Sequence, residues 1–129
     1  MRAALLILLG LAIGAIGTVF SMNALRERNP LPHAVMVVMG HHMGALQHAR
    51  KAQRCEAAQN LQQLQLMQAT AADIGDAFPD APAGFNEAAG HLRTALQSAV
   101  QAAPIDCPAL ANALKPVGEA CENCHQQYR

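Results

Sequence analysis

Hydrophobic positions follow two patterns along this chain. Residues Ala3 to Phe20 form an unbroken run of apolar and small side chains behind one cation, Arg2. Downstream, apolar residues recur in steps of three and four. The stripes are Met36, Met39, Met43 and Leu46; then Leu64, Met67, Ala71, Ile74 and Phe78; then Phe85, Ala89, Leu92, Leu96 and Ala99; and last Leu110, Leu114, Val117, Cys121, Cys124 and Tyr128. Such steps keep one narrow face of an α-helix toward its neighbours and mark helices packed at shallow angles. The stripes break at Arg54-Cys55, between Gly75 and Gly84, and from Ala103 to Pro108, which puts Pro108 near the first turn of the last helix. The pattern predicts an all-α fold, an up-down-up-down four-helix bundle of about 30 Å preceded by one N-terminal helix. No repeat and no strand signal accompany it.

At about 1.5 Å per residue the N-terminal run reaches roughly 27 Å, close to the thickness of a hydrocarbon core. It reads as a cleaved secretory signal or as an uncleaved anchor. Its length and the lack of a clean A-x-A site favour the anchor, Val19-Phe20-Ser21 being a poor cleavage site. Arg2 on one side and Arg26 and Arg28 on the other barely discriminate orientation. Either reading exports the remainder. The expected organisation is 1–25 as anchor or signal, 26–32 as a linker with Pro30 and Pro32, and 33–129 as the helical domain.

Charge and composition narrow the chemistry. Nine Lys and Arg balance nine Asp and Glu, so no nucleic-acid partner is expected. Aromatic residues make up 3% of the chain and Trp is absent, which leaves a thin core that something else could complete. The last helix carries Cys121-Glu122-Asn123-Cys124-His125, a C-x-x-C-H. Cysteines three apart share a helix face, where each thiol can add to one haem vinyl group while His125 offers a nitrogen to the iron. A redox dithiol would want a βαβ context, and zinc would need two more ligands at matching spacing. One covalent haem c is the expected cofactor. Cys121 and Cys124 lie on the inner stripe, so the attached group would project between the helices. Phe78, Phe85 and Tyr128 fall at the same end and are candidate pocket residues.

Here a resemblance becomes specific. Ala113-Leu114-Lys115-Pro116-Val117-Gly118-Glu119-Ala120 followed by C-E-N-C-H-Q-Q-Y-R resembles the closing helix of the cytochrome c′ and cytochrome c-556 family. Tyr128 and Arg129 match the aromatic and the Arg that follow the family motif, and Met36-x-x-Met39-Gly40-x-His42-Met43-Gly44 is similar to its opening helix. The likeness runs from about His33 to Arg129, with the middle helices matching in pattern only. It implies a haem protein, and the N-terminal run, which lies outside the likeness, places it at the bacterial inner membrane with its haem domain in the periplasm, or soluble there if that run is cleaved. It also implies a homodimer through the first two helices, and a Met ligand at the position of Met36, where five-coordinate members carry an apolar non-ligand. Met36 as flexible core filler is the competing reading. Met39 is a further pocket candidate, Pro116 is expected to bend the last helix, and Gly118 to allow close approach.

Cys55 and Cys107 fall in junctions at the end opposite the haem, and in an exported chain they are expected to form a disulfide, with two free thiols as the alternative. Arg50, Lys51 and Arg54 share that end, whereas Asp73, Asp76, Asp80, Glu119 and Glu122 belong to the haem end. The leading expectation is a non-enzymatic monohaem electron carrier serving redox partner proteins of the periplasm or inner membrane, with iron held by His125 and Met36. The alternative is a five-coordinate protein binding NO or CO. A remote one is a copper-handling protein using Met36, Met39, His41, His42, Met43 and His48 as soft donors, which leaves the C-x-x-C-H unexplained.

Overall fold

A computed structural model describes the backbone of residues 2–26 and 30–128, with side chains from 7–24 and 30–128. Among the described residues there are six helices and no strand: α1 (Arg2–Arg26), α2 (Leu31–Lys51), α3 (Ala57–Ala72), α4 (Ile74–Ala77), α5 (Phe85–Ala102) and α6 (Cys107–Tyr128). The chain divides into two compact units, Met1–Pro30 and Leu31–Arg129. In the first, Ile7–Ala24 is long and apolar enough to cross a membrane, and no part of it is buried by protein. The Thr18 hydroxyl donates to the Gly14 carbonyl at 2.8 Å, which satisfies it within the helix.

The second unit begins earlier than the sequence suggests. Leu31 and Pro32 open α2 rather than closing a linker, because proline is preorganised for the first turn and has no N–H to leave unpaired there. The long helices α2, α3, α5 and α6 form the bundle, while α4 is a single turn in the α3–α5 connection. Each long helix packs closely on the next, α2 on α3, α3 on α5 and α5 on α6, whereas α2 and α6 touch only sparsely. The ring of four is therefore open along one seam.

The core follows the stripes in α5, where Phe85, Ala89, Leu92, Leu96 and Ala99 are all buried. Leu64, Met67 and Ala71 of α3 and Leu110, Leu114 and Val117 of α6 join them. At the end of the bundle remote from the C-x-x-C-H, a disulfide joins Cys55 to Cys107, 5.1 Å apart at Cα. Buried Asn60 donates from Nδ2 to the Pro104 carbonyl at 3.4 Å, tying α3 to the α5–α6 loop at that end. Asp106 caps α6, its Oδ1 accepting the Ala109 N–H at 2.7 Å. Pro116 stands inside α6, which runs on through it to Tyr128. Gly118 makes no close approach: a Cβ there would meet nothing within 4 Å, because this face of α6 is exposed.

Candidate functional site

The open seam between α2 and α6 is a cavity of about 200 Å³. From α2 it is lined by Met36, Met39, Gly40 and Met43, and from α6 by Cys121, Cys124 and His125. Met67, Ile74 and the α5 residues Ala88, Ala89 and Leu92 complete its walls. The structure thus brings together the C-x-x-C-H and all three methionines of α2. The sequence placed Met67, Ile74, Ala89 and Leu92 on inner stripes, but gave no sign that this stretch of each stripe faces open space.

α2 presents two neighbouring faces. Val35, Met39 and Leu46 are buried in the core, while Met36 and Met43 are half-buried and border the cavity on either side of Gly40. Val35 takes the core position expected for Met36, which frees the Met36 thioether to face the cavity. The histidines of α2 go elsewhere. His42 Nδ1 pairs with Gln63 Oε1 of α3 at 2.7 Å, and His33, His41 and His48 are exposed. The proposed soft-donor set for copper is therefore divided, with only its methionines lining the cavity. Among the described residues no three His, Cys, Asp or Glu side chains converge on a common point.

Cys121 and Cys124 are free and half-buried. Burial raises the Cys121 thiol above its ordinary pKa, and the neighbouring Cys124 adds to the shift. Burial raises Cys124 as well. Both residues thus favour the neutral thiol in the cavity wall. His125 is exposed on the surface side yet reaches the same cavity.

The aromatic residues require a correction. Phe78, Phe85 and Tyr128 do not line the cavity; they pack on one another beside it. The Phe78 and Phe85 rings lie 5.0 Å apart, and Phe85 meets Tyr128 edge to face at 5.5 Å. The cause is the strap from Phe78 to Gly84, which folds back over the end of α6. Gly84 has φ +88°, and a Cβ built on it would lie 2.7 Å from the Tyr128 hydroxyl. Only a residue without a side chain admits both the left-handed backbone and the phenol. Arg129, the other expected pocket residue at this end, lies outside the described residues.

The set fits a covalent haem. Two neutral thiols one helical turn apart, an adjacent imidazole and thioethers on the facing helix are the donor types that such a group needs. They surround an almost wholly apolar cavity at the one seam the bundle leaves open. Residues 80–129 match the family model described as Cytochrome C', which covers α5 and α6 with the last residues of the strap before them. Neither a curated protein nor a solved structure matches the chain.

Proposed function

From a chain whose residues 80–129 match the cytochrome c′ family model, we propose a monohaem c-type cytochrome that carries single electrons, its iron held by His125 and Met36. The observation that carries this reading is the convergence of Cys121, Cys124, His125 and Met36 on one apolar cavity between α2 and α6. When bound, haem c supplies a one-electron redox couple whose potential a Met/His pair raises.

The residues of the chain account for the rest. Cys121 and Cys124, three apart on α6, would hold the group through two thioether bonds. His125 of α6 and Met36 of α2, which line the same cavity, would supply the iron ligands. Met39, Met67, Ile74 and Leu92 exclude water from the interior, which keeps the dielectric low around the centre. The α1 segment is proposed to hold the domain at a membrane surface, as an anchor or as an export signal.

A second reading has one observation in its favour. Apart from the C-x-x-C-H residues, every wall residue of the cavity is apolar, which also suits a five-coordinate centre taking NO or CO. The test is Met36→Leu. If Met36 ligates, the variant loses the low-spin Met–iron charge-transfer band and its reduced form binds CO rapidly, whereas the parent does not. An unchanged spectrum removes Met36 as ligand, and CO binding by the parent favours the gas-binding reading. His125→Ala is expected to remove the His/Met coordination and its low-spin spectrum while leaving haem attached through the two cysteines.

A further inference from the structure

On the outer side of the C-x-x-C-H helix, α5 and α6 border a second, open groove of about 520 Å³. Two residues line both this groove and the inner cavity: Ala88 of α5 and Cys124 of α6. At this place the wall of the bundle is one residue thick, and one of its two members is a small alanine. The rim carries hydrogen-bonding side chains, among them Thr94, Asn123 and Gln127, around a single formally charged lining residue, Glu119. His91 in the rim lies 3.9 Å from Glu87 Oε1, which adds a second carboxylate beside the groove. Thr94, Glu119, Asn123 and Gln127 are exposed. The opposite end of the bundle carries the cations Arg50, Lys51 and Arg54.

We propose that this α5–α6 groove is where a one-electron redox protein with a Lys- or Arg-rich surface docks, and that Cys124 and Ala88 form the contact through which the electron crosses. The inference rests on the haem reading above. One electron leaves the reduced centre of this chain, which is oxidised by one unit, and the oxidised centre of the partner is reduced by one. No atom or proton changes hands. Electron transfer does not need the two centres to touch, and a docked partner here is separated from the cavity by the thinnest part of the wall. Charge complementarity selects the occupant: on α5 and α6 the carboxylates Glu87, Glu119 and Glu122 outnumber the cations Arg93 and Lys115 by one and attract a cationic surface, while the basic far end repels it and favours the productive orientation.

The test uses the full haem-loaded chain in detergent, with a lysine-rich c-type cytochrome as the partner probe. Glu119→Lys is expected to lower the bimolecular electron-transfer rate about fivefold at low ionic strength, as follows from reversing one charge at roughly 8 Å in water. Glu56→Lys, the same charge change at the disulfide end, is expected to leave the rate within about a factor of two, since at roughly 25 Å in water the reversal is worth only about a third of the energy it has at roughly 8 Å. Thr94→Trp fills the groove and should slow the reaction at every salt concentration. Independently of turnover, adding the oxidised probe should move the backbone amide resonances of Thr94, Glu119, Asn123 and Gln127. Equal slowing by Glu119→Lys and Glu56→Lys, an unaffected Thr94→Trp, or resonance changes confined to other faces would each overturn the docking site. Reduction by dithionite separates the two readings: variants that reduce normally but react slowly with the probe support docking, whereas a parent that shows no one-electron couple removes the haem reading itself.

Discussion

Replacing Gly84 with alanine perturbs the strap that closes the C-terminal end of the bundle, and its cost can be built from two parts. The backbone there is left-handed, φ +88° and ψ −17°, which costs an L-residue about 1 kcal/mol or more. The new Cβ would also lie 2.7 Å from the Tyr128 hydroxyl, closer than non-bonded atoms allow, so Tyr128 must swing away. That breaks the edge-to-face pair with Phe85, worth about 0.5–1.5 kcal/mol. The expected destabilisation is about 2–3 kcal/mol, which lowers Tm by about 10–20 °C for a helical unit of this size. Urea unfolding of the haem-loaded chain, followed by far-ultraviolet circular dichroism, measures it. The second half of the reasoning is tested by Tyr128→Phe, which removes the atom that clashes. The double variant Gly84→Ala/Tyr128→Phe should recover about 1 kcal/mol relative to the sum of the single changes. A Gly84→Ala cost under about 0.5 kcal/mol, or strict additivity in the double variant, would refute the contact. Tyr128 lies three residues after His125 on α6, so the strap bears on the turn that carries the proposed iron ligand.

Two further outcomes follow from other parts of the molecule. The Cys55–Cys107 disulfide closes a loop of 52 residues in sequence separation, for which the chain-entropy estimate is about 4 kcal/mol; the Cys55→Ser/Cys107→Ser pair should lower the urea midpoint accordingly, and an unchanged midpoint would show that the unfolded chain gains nothing from the break. Burial raises the pKa of Cys121 and Cys124, with the charge of Cys124 adding to the Cys121 shift. In the haem-free protein, less thiolate is present at a given pH, so iodoacetamide labelling mapped by mass spectrometry should set in at higher pH than for a free cysteine. Labelling of both residues at the rate of an unfolded control would contradict their burial.

Much of this architecture was legible because helices bury residues at fixed spacing. The α5 stripe is the clearest case, since all five of its apolar positions are buried. The C-x-x-C-H and the two outlying cysteines were legible as chemistry, because spacing alone brings Cys121 and Cys124 to one helix face. In α2, by contrast, periodicity could not separate Val35 and Leu46, which are buried in the core, from Met36 and Met43, which are half-buried at the cavity, while Met39 is buried and also lines it. Both sets are apolar, and they lie one residue apart around the helix. Phe78, Phe85 and Tyr128 were correctly assigned to one end and wrongly to the cavity wall. Their placement depends on the left-handed turn at Gly84, a backbone choice that a single glycine allows but does not announce. Gly118 shows the same limit in reverse, since a glycine in a packed helix leaves no trace of whether anything approaches it.

The most direct test of the central proposal is the visible spectrum of the protein matured with haem, recorded oxidised and reduced, with and without CO. The expected result is covalently retained haem with a low-spin Met–iron charge-transfer band in the oxidised form and a reduced spectrum that CO leaves unchanged. Retained haem with rapid CO binding would contradict the electron-carrier reading, and a protein exported without bound haem would contradict the haem site at Cys121, Cys124 and His125.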